Sequence, residues 1–324
     1  MKKNDRAVLT IAVGKPLYRR LAINLLRSLL YWHPESDLRF VLATDQTEPL
    51  PSDLASVEIV ALAPRQYGEG FSPKLHLDRL GPAEKTLFVD ADCLCVGSVD
   101  SVFARFKDRA VSVVGGAISQ GEWFGDVESV CQRFAVRALP KFNGGIYYVE
   151  KGDICSSVYS KARELEEHYD SLGLVRLREK PNDELLIAIS MAIHGLKAIP
   201  DDGSVLSSPF EAPTQLEIDV FKGRSVLVNP FPPNPQHQSW YPLHEVHPVL
   251  VHFLGDHHSR YEYCAEAFKL RFWNRNRLVL VVLPFMAMLF ITWPGQMWQA
   301  AKNALRPAYR RCFGVRRLKP SERI

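Results

Sequence analysis

Apolar positions in the first hundred residues fall in short runs separated by Pro, Gly and charge. Ala7 to Val13 is apolar apart from Thr10, the pattern of a strand buried on both faces of a parallel sheet. Leu17, Leu21, Leu25 and Leu29 recur four apart, joined by Ala22, Leu26 and Leu30. They predict an amphipathic helix over Leu17 to Trp32 that Pro34 stops. Leu38 to Ala43 and Val57 to Leu62 predict two more strands, and Thr86 to Val89 a fourth, entered past a helix start at Pro73. Strand, helix, strand with crossover-length links opens a doubly wound α/β sheet. Ala110 to Val114, Gly144 to Val149 and Leu250 to Phe253 predict later strands, and Ser156 to His168 and Asp183 to His194 later helices. Asp201 to His247 is Pro-rich and irregular, and is expected to form an excursion over a site.

The pattern changes near the C-terminus. Leu278 to Trp293 is apolar except for Pro284 and Thr292. As a helix it spans roughly 24 Å, short of the ~30 Å hydrocarbon core of a bilayer. Arg271, Arg275 and Arg277 precede it, and a basic tail runs to Arg323. An interface-embedded segment accounts for the apolar run and the flanking charge together and is the expectation; a core helix capping the domain and a spanning helix are the alternatives. The expected division is therefore a body over residues 1–268 and a helical, apolar and basic extension over residues 269–324.

Charge sharpens that division. The 324 residues carry a net +4, but the stretch from Lys269 onward holds twelve Lys or Arg against one acid, Glu322. The tail is thus strongly cationic and the preceding body mildly acidic, which points to an anionic partner for the tail. Its Leu, Val, Phe and Trp content favours an anionic membrane surface, with no nucleic acid. Six cysteines without a C-x-x-C pair imply reduced thiols and a cytoplasmic setting, peripheral on the cytoplasmic face of a membrane. The short apolar stretch near the N-terminus lacks a small-residue cleavage site and reads as the first strand.

The candidate chemistry sits at the end of the fourth strand. Asp90 and Asp92 are two apart, so on an extended chain they point the same way and can share one cation. Ligands of open α/β sheets gather at the carboxyl ends of strands, where these acids lie. Three further segments follow in order: Phe142-Asn143-Gly144-Gly145, Asn182-Asp183-Glu184-Leu185-Leu186 and His252-Phe253-Leu254-Gly255.

Together the four motifs, within roughly Ala7 to Arg260, resemble the GT-A glycosyltransferases, closest to glycosyltransferase family 8, which includes glycogenin and bacterial lipopolysaccharide sugar transferases. The resemblance implies a GT-A fold, a Rossmann-like doubly wound mixed sheet. It also implies hexosyl transfer with retention from a nucleotide sugar, UDP-linked, to the hydroxyl of a saccharide or glycolipid acceptor. By it, Asp90, Asp92 and His252 hold Mn²⁺ (or Mg²⁺), which neutralises charge on the departing diphosphate. Asn143 is expected to bond sugar hydroxyls, Asp183 and Glu184 to face the donor sugar, and Lys74 to help hold the donor. Gly255, His258 and Arg260 are placed at the diphosphate. The sequence departs from the family's D-Q-D at Asp183-Glu184, and His258 stands where the family carries Lys.

Two rival readings share these features. A nucleotidyltransferase has related architecture but needs a Gly-rich basic loop after the first strand, of which Val13-Gly14-Lys15-Pro16 is a poor version. The other is a non-catalytic nucleotide-sugar-binding module.

Overall fold

A computed structural model describes residues 5–229, 243–273 and 277–314, with the side chains of 277–281 left aside. The expected basic tail beyond residue 314, Arg275 and part of the Pro-rich stretch lie outside the described residues.

The first half follows the apolar pattern closely: β1 (Arg6–Ala12), α1 (Pro16–Trp32), β2 (Arg39–Thr44), β3 (Glu58–Ala61), α2 (Leu77–Leu80) and β4 (Lys85–Val89). Pro16 starts α1, where its missing N–H costs nothing, and Leu21, Leu25, Leu26 and Leu29 form its buried stripe. Next come β5 (Cys93–Cys95), α3 (Asp100–Arg105), β6 (Val111–Ser112), β7 (Val114–Ile118), α4 (Val127–Arg133), β8 (Leu139–Phe142) and β9 (Ile146–Glu150). The strand expected over Ala110 to Val114 is thus split at Val113 and feeds two sheets. Gly115 lies against the Lys141 backbone with no room for a Cβ, so β7 and β8 approach that closely only through glycine.

After α5 (Asp153–Glu167) and α6 (Asp183–Ile193), the Pro-rich excursion contains more structure than its composition suggests. It holds β11 (Leu206–Ser207) after β10 (Ile199–Pro200), then β12 (Gln215–Asp219), β13 (Arg224–Val228) and β14 (Glu245–Val246). Those last three make a small antiparallel sheet. β15 (Leu250–His252) and α7 (Tyr261–Phe272) complete the body.

Among the described residues the main sheet has six strands in the order β3-β2-β1-β4-β9-β6, parallel from β3 to β4 and antiparallel at β9. Alternation along its strands sends Val8 and Leu87 to a core shared with α1, and Leu9 and Phe88 to a core shared with α5 and α6. The result is a mixed sheet between helices, as expected. A second sheet, β11-β15-β5, lies beyond the end of β4.

α7 runs through the boundary expected at residue 268. Lys269 and Leu270 are buried, and the Lys269 ammonium bridges Glu266 and Asp219. Residue 268 therefore lies inside a helix packed on the preceding elements. Beyond it, α8 (Arg277–Ala287), one π-helical turn (Met288–Thr292) and α9 (Trp293–Phe313) succeed one another. Of the described side chains, Leu283 and Ala287 are buried, and Gly295 packs against Tyr261 with no space for a Cβ. Phe285, Phe290, Trp293, Met297 and Trp298 are exposed. Among the described residues no helix is long and apolar enough to cross a membrane.

Candidate active site

Strand pairing builds the site from segments far apart in sequence. β4 and β9 are antiparallel with Val89 opposite Ile146, so the end of one meets the start of the other, and Asp90 N–H donates to the Gly145 carbonyl at 2.9 Å. β15 pairs antiparallel with β5, His252 opposite Cys93, and Phe253 N–H donates to the Asp92 carbonyl at 2.9 Å. The two aspartates and the histidine are thereby fixed through backbone, independently of their side chains.

The side chains converge. His252 Nε2 lies 3.0 Å from Asp92 Oδ1 and 3.8 Å from Asp90 Oδ2. Its Nδ1 lies 2.8 Å from Asn143 Oδ1, which also accepts from Gly145 N–H at 3.0 Å. Lys74 Nζ donates to Asp90 Oδ2 at 2.6 Å and to the Gly144 carbonyl at 3.0 Å, and stands 3.7 Å from Asp183 Oδ2. Asp183 and Glu184 open α6, where the Asn182 side chain caps the Leu185 N–H. Tyr147 donates to Asp183 at 2.5 Å, and Gly144 N–H donates to Glu184 Oε1 at 2.7 Å.

Burial and mutual charge set the protonation states. Burial opposes charge on Lys74, yet Asp183 and Asp90 outweigh it and hold the ammonium well above its ordinary range. Burial and the neighbouring Asp92 push Asp90 up, against the pull of Lys74. Asp92 goes the other way: burial is outweighed by His252, whose own value is raised because Asp92 outweighs its burial. Burial, then Asp183, pushes Glu184 to about 8.

Two carboxylates and one imidazole at a strand edge make an oxygen-rich donor set with a single nitrogen, suited to a hard divalent cation such as Mn²⁺. A cradle for the imidazole is built in: a Cβ on Gly145 would stand 2.5 Å from His252 Nδ1. Cys93 lies close enough to join Asp92 and His252, but its thiol is fully buried, and burial reinforced by both aspartates keeps it protonated.

No protein-family model and no curated protein matches the chain. Among solved structures it superposes on the galactosyltransferase LgtC in complex with donor and acceptor sugar analogs. The TM-score is 0.52 at 13% identity, over 77% of this chain and 87% of that one. An active-site mutant of LgtC gives a TM-score of 0.51 at 12% identity, with the same coverage. The chain has the GT-A fold.

Within this GT-A fold the expected residues divide into two groups. Lys74, Asp90, Asp92, Asn143, Asp183, Glu184 and His252 form one connected cluster. Gly255, His258 and Arg260 belong to the turn after β15. Gly255 takes a left-handed φ of 66°, His258 Nδ1 bonds the Gly255 carbonyl at 2.7 Å, and Arg260 stands just before α7 with no side-chain bond to the helix N-terminus. Arg178, at the tip of a tight turn before α6, has its guanidinium 3.9 Å from where a Cβ on Gly255 would be.

Asn143 differs in one respect from the expectation, because its oxygen is committed to Gly145 and His252. One amide hydrogen goes to Glu211 Oε1 at 3.1 Å, which leaves the other for a ligand. Sequence reasoning missed Glu211, Tyr147 and the Gly144 amide. Glu211 stands in the Pro-rich stretch with no periodic or motif signal around it.

Proposed function

We propose that this chain is a metal-dependent glycosyltransferase that moves a hexose, with retention, from a UDP-sugar to a hydroxyl of a saccharide or glycolipid acceptor. The observation that carries this reading is the convergence of Asp90, Asp92 and His252 at one strand edge of a GT-A fold. These three would hold Mn²⁺ (or Mg²⁺), which when bound supplies positive charge to the leaving diphosphate. Lys74 orients Asp90, Asn143 offers its remaining N–H to a sugar hydroxyl, and Asp183 with Glu184 faces the donor sugar. Gly255 lets backbone approach the diphosphate, with Arg178, His258 and Arg260 around that turn.

One contact weighs against the nucleotidyltransferase reading. The Gly14 N–H, which a phosphate-binding loop would offer to its ligand, donates to both oxygens of Asp45 at 3.1 and 3.0 Å. The carboxylate already fills that place and would repel a phosphate. Thermal unfolding with Mn²⁺ and a panel of nucleotides tests the assignment. UDP with Mn²⁺ is expected to stabilise the fold, by about 2.7 kcal/mol at a hundredfold excess over Kd, and the cognate UDP-sugar further. Equal shifts from every nucleoside triphosphate, or none from UDP, defeat it.

The reading extends to location, at the cytoplasmic face of an anionic membrane. Support comes from the exposed Phe285, Phe290, Trp293, Met297 and Trp298 alongside Lys302, Arg306, Arg310 and Arg311. Each basic residue near an anionic surface adds about 1 kcal/mol that salt screens, whereas the apolar contribution persists in salt. Full-length protein is expected to float with anionic vesicles and to be only partly released by salt. A form ending at Trp273 should remain below yet still hydrolyse donor. Aggregation of the shortened form, or full-length protein that stays below, would exclude the membrane role.

A further inference from the structure

Glu211 is 3% exposed and reaches the site by a route independent of the four motifs. β11 pairs in parallel with β15, Ser207 opposite Val251, so the chain leaving β11 passes beside His252. It turns at once: Ser208 accepts from the N–H groups of Glu211 and Ala212 at 3.0 Å each, which swings the Glu211 side chain inward. Its Oε1 accepts from Asn143 Nδ2 at 3.1 Å. A carboxylate buried this deeply costs stability unless its contacts require it, and a plain core position is better filled by an apolar side chain.

The contact has a consequence one bond further on. Gly145 N–H and Glu211 together fix which end of the Asn143 amide faces which way, oxygen toward His252 and nitrogen toward Glu211. An amide oxygen facing His252 Nδ1 at 2.8 Å holds the proton on Nδ1, so Nε2, the atom directed at Asp90 and Asp92, is the nitrogen that can exchange its proton for a cation.

We infer that Glu211 is a positioning residue that acts through the Asn143 amide to present His252 Nε2 to the divalent cation. This inference rests on the metal reading of the Asp90, Asp92 and His252 cluster.

The test counts free Mn²⁺ by electron paramagnetic resonance during titration of wild type, Glu211→Gln, Glu211→Leu and Glu211→Asp, each with its melting temperature. Gln keeps an acceptor for Asn143 Nδ2 and should bind Mn²⁺ within about twofold of wild type. Leu removes the acceptor, and Asp withdraws it by one methylene while keeping the charge. Both are expected to weaken Mn²⁺ by about tenfold or more, the scale for loss of a ligand's outer partner. Should Glu211→Leu fail to fold, the comparison of Gln with Asp decides alone. Wild-type affinity in Leu or Asp, or equal affinity in Gln and Asp, overturns the role of Glu211 and leaves the metal site standing. A wild type that binds no Mn²⁺ overturns the metal reading itself.

Discussion

Asp92→Asn is expected to lower transfer by at least about a hundredfold while moving the melting temperature little. The backbone of Asp92 holds its place without the side chain, through the Phe253 N–H on its carbonyl. The carboxylate is therefore free to serve the cation, and the amide that replaces it retains the shape but not the charge. The effect on the fold is small because two terms oppose each other. Burial raises the Asp92 value and His252 outweighs it, so the folded protein binds this proton less tightly than the unfolded chain does. That contribution is present above the unfolded carboxylate range and is lost as pH falls through the lowered folded value. Asparagine gives up this stabilisation, but it also relieves the repulsion that pushes Asp90 upward. Turnover at saturating Mn²⁺ is the measurement, and activity within about threefold of wild type would remove Asp92 from the metal set.

Gly145→Ala is expected to damage stability and cation binding together. Its Cβ would meet His252 Nδ1 at 2.5 Å and Cε1 at 2.9 Å. Neither partner can easily give way. Gly145 is held at both ends, its carbonyl by Asp90 N–H and its N–H by Asn143, and His252 is buried in the pair of β15 with β5. Forcing one methyl group into a packed site costs about 1–3 kcal/mol, and displacing the imidazole should weaken Mn²⁺ by more than about tenfold. Combining Gly145→Ala with His252→Ala separates the two effects. Space released by the ring should recover much of the melting temperature while Mn²⁺ binding stays lost. Additive losses of stability would mean that the methyl group collides with something other than His252.

The parts of this protein legible in its sequence are those with local periodicity. Helix α1 was readable from the four-residue period of its one buried stripe, and strands β1, β2 and β4 because they are central and buried on both faces, so their apolar runs are nearly unbroken. Asp90, Asp92 and His252 were readable because strand ends and short motifs carry them. The small sheet β12-β13-β14 was not, since Pro and Gly around it mask short antiparallel pairs that only tertiary packing selects. Glu211 was equally silent: a single carboxylate in Phe-Glu-Ala-Pro gains meaning only when parallel pairing of β11 with β15 sets it beside Asn143. Nor did the sequence mark Lys269, the first charge counted with the basic stretch, as an inward-facing one, satisfied by Glu266 and Asp219 from two different elements.

The pairing of β15 with β5 joins His252 to a strand about 160 positions earlier. Local helices and the β1-to-β4 half do not use that pairing, but the proposed cation site is incomplete until that late segment returns. Closing so long a loop is slow compared with forming helices. During refolding, helical signal should therefore return before Mn²⁺ is captured, which makes metal uptake a reporter of the completed chain. A nascent or clipped protein lacking β15 would lack His252 and is expected to lose the proposed capture of the ion.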